Sequence, residues 1–86
     1  MLRILVVDDH QMFRKGISSL ISSRDGMQVV AEGANGAEAL QLVRQHNPDV
    51  VLMDLRMPVC DGLQATRMIK AERPDARIII LTVSED

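Results

Sequence analysis

The sequence predicts an α/β fold, a parallel doubly wound sheet with helices on its faces, and three observations carry that prediction. Four β-rich runs, Arg3–Val7, Met27–Glu32, Asp49–Met53 and Arg77–Leu81, alternate with three segments of helical spacing. The links between them are short, which favours right-handed crossovers and parallel neighbours. Ile4–Val7 and Val50–Met53 are apolar on both faces, as strands at the centre of a parallel sheet are.

The first run, RILVVDD, passes from apolar residues straight to Asp8 and Asp9. In the helix after it, Phe13, Ile17, Leu20 and Ile21 share one face, while Arg14 and Lys15 point away. The second run alternates in part, which sets polar Gln28 and Glu32 on one face, as a less buried edge strand would. Ala37, Leu40 and Val43 recur at helical intervals in the second helix, and Asn35 with Glu38 forms a capping-box pattern at its start. Pro48 separates that helix from the third run, VVLMD, which again ends on an aspartate, Asp54. Asp61, Gly62 and Gln64 signal the start of the third helix, and Pro74 stops it. The last run, Ile78–Leu81, is apolar on both faces and reads as central although nothing follows it but LTVSED's last residues. The strand pattern therefore suggests part of a larger domain.

Composition narrows the function classes. A chain of 86 residues suffices for one small domain. Folding at this size buries roughly 60–65% of the unfolded surface, so the core is marginal. Twelve acids against ten bases, with no basic block, leave no footprint for nucleic acid. Aliphatic runs of four residues are too short to span a membrane, and the N-terminus has no signal-peptide shape. The one cysteine, Cys60, excludes an internal disulfide and points to a reducing, cytoplasmic setting. Phe13 is the sole aromatic, so base stacking is not on offer.

In a doubly wound sheet, ligands bind at the carboxyl ends of the strands where the winding direction changes. Asp8, Asp9 and Asp54 all fall at such ends, and they converge if the first and third strands are neighbours. Three close carboxylates repel one another, and a hard divalent cation relieves this; Mg²⁺ suits a few carboxylates plus water and phosphate oxygens. The residues alone thus read as a Mg²⁺ site beside a carboxylate that can act as a nucleophile.

VVDDH at Val6–His10, LMDLRMP at Leu52–Pro58, DG at Asp61–Gly62 and ILT at Ile80–Thr82 run the length of the chain. With these motifs it resembles the receiver domain of two-component response regulators. DDH, LRMP and LTVSED look most like the branch that carries a helix-turn-helix DNA-binding output domain. The resemblance implies a flavodoxin-like sheet of order 2-1-3-4. Residues 1–86 would be a receiver truncated after the fourth strand, with the fifth strand, last helices and output domain outside this chain. Asp54 would be the phosphoacceptor for a sensor histidine kinase. Asp8, Asp9 and Asp54 would hold Mg²⁺, Asp9 most directly, with the backbone carbonyl of Arg56. Thr82 would be the switch hydroxyl, and Pro58 and Gly62 would shape the loop. Such a module is not an enzyme; it catalyses only its own phosphorylation and dephosphorylation. The family's lysine after the fifth strand would fall beyond Asp86. Val83 is larger than the alanine or glycine common in the wider family and would narrow access to an acyl phosphate.

Plainer roles stand beside these. Asp9 could cap the first helix, and Thr82 could be an ordinary strand residue. His10 reads as a first-turn surface residue and His46 as a partner of its helix end. Cys60 reads as an inert loop thiol, and Asp61 as a cap. Asp49 and Asp75 read as turn residues. Arg14, Lys15, Arg67 and Lys70 read as a solvated face, although in the family the first helix helps to dock the kinase. Rival functions are a Mg²⁺-dependent phosphohydrolase working through an aspartyl-phosphate, an FMN binder, and a non-switching structural fragment. The first wants an acid two residues after the nucleophile, where Arg56 stands; the second wants a glycine- and hydroxyl-rich loop where DDHQMF stands. An unpaired fourth strand would also make the truncated chain self-associate.

Overall fold

The computed structural model describes residues 1–81. Thr82 and Val83 lie outside the described residues. In chain order the elements are β1 (Leu2–Val7), α1 (Gln11–Ser22), β2 (Met27–Gly33), α2 (Gly36–His46), β3 (Val50–Asp54), α3 (Gly62–Glu72) and β4 (Arg77–Leu81). The four strands form one parallel sheet of order β2-β1-β3-β4. This is the expected order, with β1 and β3 adjacent at the centre and β2 at an edge.

Alternation along the strands sorts the apolar residues between two faces. Leu5 and Val7 of β1 join Val51 and Met53 of β3 on one face. There they pack with Ala39 and Val43 of α2, Ala65 and Ile69 of α3, and the loop residues Met57 and Cys60. Ile78 and Ile80 of β4 close the same cluster, which contains no residue of α1. Ile4 and Val6, equally buried, point to the opposite face. Among the described residues β4 pairs with β3 alone, so it stands at the sheet edge, and Ile79 is 52% exposed.

Two helices start as their sequences require. The Asn35 side chain accepts from the Glu38 amide at 3.0 Å, and Glu38 accepts from the Ala34 amide at 3.1 Å. Asp61 accepts from the Gln64 amide at 2.8 Å. Asn47, at φ 46°, ends α2 in the left-handed conformation, its amide donating to the Val43 carbonyl at 2.9 Å. Arg44 of α2 and Glu72 of α3 join the two helices through a paired contact. The hydrogen bond from Arg44 lowers the Glu72 carboxyl below its ordinary pKa and raises that of Arg44. Both side chains are exposed, so the pair adds little stability.

Four local expectations need correction. Phe13 and Leu20 of α1 are 42% and 64% exposed, whereas Arg14 is turned inward and Ser18 is buried. The Arg14 guanidinium is drawn in by Glu32 and by the Asp8 carbonyl, which rotates the inward face from the purely apolar one. Asp9 does not cap α1: the cap position is His10, and no side chain satisfies it. In α2, Ala37 is exposed, and Gly36, Ala39 and Val43 are buried. The cause is a close approach, because the Gly36 amide donates to the Cys60 carbonyl at 2.9 Å, and a Cβ there would lie 2.6 Å from that oxygen. In β2, Gln28 and Glu32 do not share a face. Ile4 pairs with Val29 but Leu5 with Ala31, so Val30 is a bulge that reverses the alternation. Glu32 then lies opposite Val6, on the face away from the core cluster.

Candidate functional site

β1 and β3 run side by side with Val7 opposite Met53, so the residues that follow them emerge together at the carboxyl end of the sheet. Asp8 leaves β1 there and Asp54 closes β3. Ligand atoms of Asp8, Asp9, His10 and Asp54 all lie within 4.8 Å of one another. The three expected acids are thus brought to one place, and the fold does this through the adjacency of β1 and β3.

The acids differ in their surroundings. Asp8 is 4% exposed, and its carboxylate accepts from the His10 amide at 2.8 Å. Asp9 is more open. The His10 ring brings Nδ1 to 3.2 Å from Asp8 and 3.3 Å from Asp9. Asp54 is half-buried and accepts from the Arg56 amide at 3.3 Å. Among the described residues no lysine or arginine pairs with any of these carboxylates. Arg56, expected to contribute its carbonyl, is an exposed residue of the loop next to Asp54. Thr82 falls outside the described residues.

The loop from Leu55 to Asp61 forms one wall. Met57 and Cys60 anchor it in the core, and the Gly62 amide donates to the Leu55 carbonyl at 2.8 Å. A Cβ on Gly62 would lie 2.3 Å from the Asp54 carbonyl oxygen, so only glycine lets α3 start this close to the end of β3. A shallow groove of about 530 Å³ runs from Asp9 along Leu55, Met57, Pro58 and Leu63. A groove of about 600 Å³ lies at the opposite end of the strands, where Arg73 and Arg77 are interspersed with Asp49 and Asp75. It holds no single-sign cluster, and the chemistry sits at the carboxyl end.

Two members of the site escaped the sequence reading. His10 is the exposed surface residue expected, and its ring also adjoins two of the acids. Arg14, expected on a solvated face, donates to the Asp8 carbonyl at 2.7 Å. The spacing of Arg14, six residues after Asp8 and so one turn into a helix that starts at the loop, was the available signal.

Fold and site together define a doubly wound α/β domain with a cluster of carboxylates at its topological switch point. The chain belongs to the response regulator receiver domain family, whose pattern matches residues 4–86. The response regulator GacA of Pseudomonas viridiflava is 45% identical over 86 residues, covering all of this chain and 40% of that protein. The transcriptional regulatory protein DegU of Brevibacillus brevis is 39% identical over 85 residues, 99% of this chain and 36% of that protein. Among solved structures, a LuxR-family two-component response regulator from Aurantimonas sp. SI85-9A1 superposes with a TM-score of 0.92 at 46% identity, over 96% of this chain and 59% of that one. The receiver domain of the NarL response regulator from Mycobacterium tuberculosis gives 0.91 at 35% identity, over 99% and 68%. The chain therefore spans about 40% of the length of the curated relatives it matches. No helix of the described residues is long and apolar enough to cross a membrane.

Proposed function

We propose that this chain is the phosphoacceptor module of a two-component response regulator, with Asp54 as the residue modified. The observation that carries the reading is the convergence of Asp8, Asp9 and Asp54 within 4.8 Å, with no cationic side chain of lysine or arginine paired to them among the described residues. Oxygen donors of this kind fit Mg²⁺, held by Asp8, Asp9 and Asp54 with the carbonyl of Arg56. When bound, the cation supplies charge stabilisation to the equatorial oxygens of a transferring phosphoryl group.

The protein's own part is positional. The strand β3 presents the Asp54 carboxylate at its end. A carboxylate oxygen attacks the phosphorus of a kinase phosphohistidine, the P–N bond breaks and the imidazole leaves. The product is an acyl phosphate, which water later hydrolyses. The partner is a sensor histidine kinase, and in the whole regulator the switch, with Thr82, acts on a transcriptional output domain. The likeness to GacA and DegU supports that output.

Incubation with a small acyl-phosphate donor and Mg²⁺, read by intact mass and peptide mapping, tests the site. Slow addition of one phosphoryl group is expected, abolished in Asp54→Asn and by a chelator. Equal modification of the Asp54→Asn chain would overturn the assignment.

A further inference from the structure

We propose that Arg14 is a positioning residue for the carboxylate cluster, acting by fixing the peptide that joins Asp8 to Asp9. The inference rests on the cation-binding reading above. Arg14 lies one turn into α1, and its side chain is only 15% exposed. Its Nη1 donates to the Asp8 carbonyl at 2.7 Å, and its Nε donates to Glu32 of β2 at 3.1 Å. The other side of the Asp8 backbone is held as well, its amide donating to the Gly33 carbonyl at 3.0 Å. The residue is thus pinned from β2 at one end and through Arg14 from β2 at the other.

The Val30 bulge makes this possible. It places Glu32 opposite Val6, on the face away from the core cluster, within reach of Arg14. Lys15 reaches the same carboxylate oxygen at 3.5 Å, but the hydrogen bond to the Asp8 carbonyl comes from Arg14. The Asp9 carboxylate has the His10 ring, 3.3 Å away, as its side-chain neighbour, so its direction depends on the backbone before it. Holding the Asp8 carbonyl sets the plane of the Asp8–Asp9 peptide and hence the direction in which Asp9 enters the cluster.

Charge and geometry predict opposite signs here. A guanidinium near a cation site repels the cation, so charge alone predicts tighter Mg²⁺ binding when Arg14 is removed. Positioning predicts weaker binding. Outer partners of metal ligands typically contribute about 10–100-fold in affinity.

The test is Mg²⁺ titration by calorimetry on the wild-type chain, Arg14→Met and Arg14→Lys, with melting in chelator alongside. Arg14→Met keeps the apolar stem and should lose about tenfold in affinity. Arg14→Lys keeps the charge but cannot bridge two acceptors with a planar fork, and it should also bind more weakly than wild type. Affinity in Arg14→Met equal to or above wild type overturns the proposal, as does a lowered melting temperature with unchanged affinity. Should the Met chain fail to fold, wild-type affinity in Arg14→Lys overturns it alone. Absence of Mg²⁺ binding by the wild type would overturn the cation reading and this inference with it, whereas loss of the Arg14 effect alone leaves that reading standing.

Discussion

Val59 sits at φ 69° in the loop beside Asp54, and the Cys60 amide closes the turn by donating to the Pro58 carbonyl at 2.7 Å. The left-handed region costs an L-residue about 1–2 kcal/mol, and a β-branched side chain suits it least. The side chain is exposed and loses no packing if removed. Glycine forfeits roughly 0.5–1 kcal/mol in backbone entropy, so Val59→Gly is expected to stabilise the chain by a few tenths to about 1 kcal/mol, read as a higher urea midpoint. A lower midpoint would show that the strain estimate is wrong. Three residues on, the sign reverses. Gly62→Ala sets a Cβ 2.3 Å from the Asp54 carbonyl oxygen and 2.9 Å from the Leu55 Cα. Both are backbone atoms that cannot swing aside, so the cost should reach the upper end of overpacking, about 3 kcal/mol. Urea unfolding measures it, and a neutral result would mean that α3 shifts without strain. At this scale Asp8, Asp9 and Asp54 were legible because each ends an apolar run, a pattern that survives without coordinates. His10 was not, because its role depends on which way a ring turns over two neighbours.

Elements were legible in type and order, less so in orientation. The apolar stripe of α1 predicted the inward face from hydrophobicity alone. The Arg14–Glu32 pair and the Asp8 carbonyl turned that face toward Arg14 and Ser18. The alternation of β2 was similarly misleading, because one bulged residue reverses every later side chain. At β4 the reverse holds: Ile78 to Leu81 gave a correct strand, and its exposure follows from having β3 as its only neighbour among the described residues. Ile79 is half exposed on a strand with no charge or proline from Ile78 to Leu81. Such an edge is a template for a second chain. The 86-residue chain is expected to self-associate, with Ile79→Lys shifting it toward monomer in light scattering over a dilution series. A monomer at all concentrations, indifferent to the substitution, would remove β4 as the contact.

For the whole molecule, the sheet does two tasks at once. Its face toward α2 and α3 carries the one described core cluster, and its carboxyl end carries the acids. The two are coupled through the loop from Leu55 to Gly62. Met57 and Cys60 belong to the core, while Asp54 and Arg56 face the site. A change in the loop therefore reaches both stability and chemistry, which is why Val59 and Gly62 carry such different consequences.

The sequence by itself determined the α/β alternation, the two capped helices, the strand runs that end in acid, and the family, because these rest on local periodicity and on motifs a few residues long. Only the tertiary structure sets β1 and β3 side by side, the order the family resemblance implied, so that Asp8 and Asp54 meet across 45 intervening positions of the chain. It also decided that Val30 bulges, and that Arg14 leaves solvent to hold the Asp8 carbonyl. The physical reason is that these outcomes depend on pairing between distant segments, and one extra residue in a strand or one ion pair across a face shifts them without changing any local pattern.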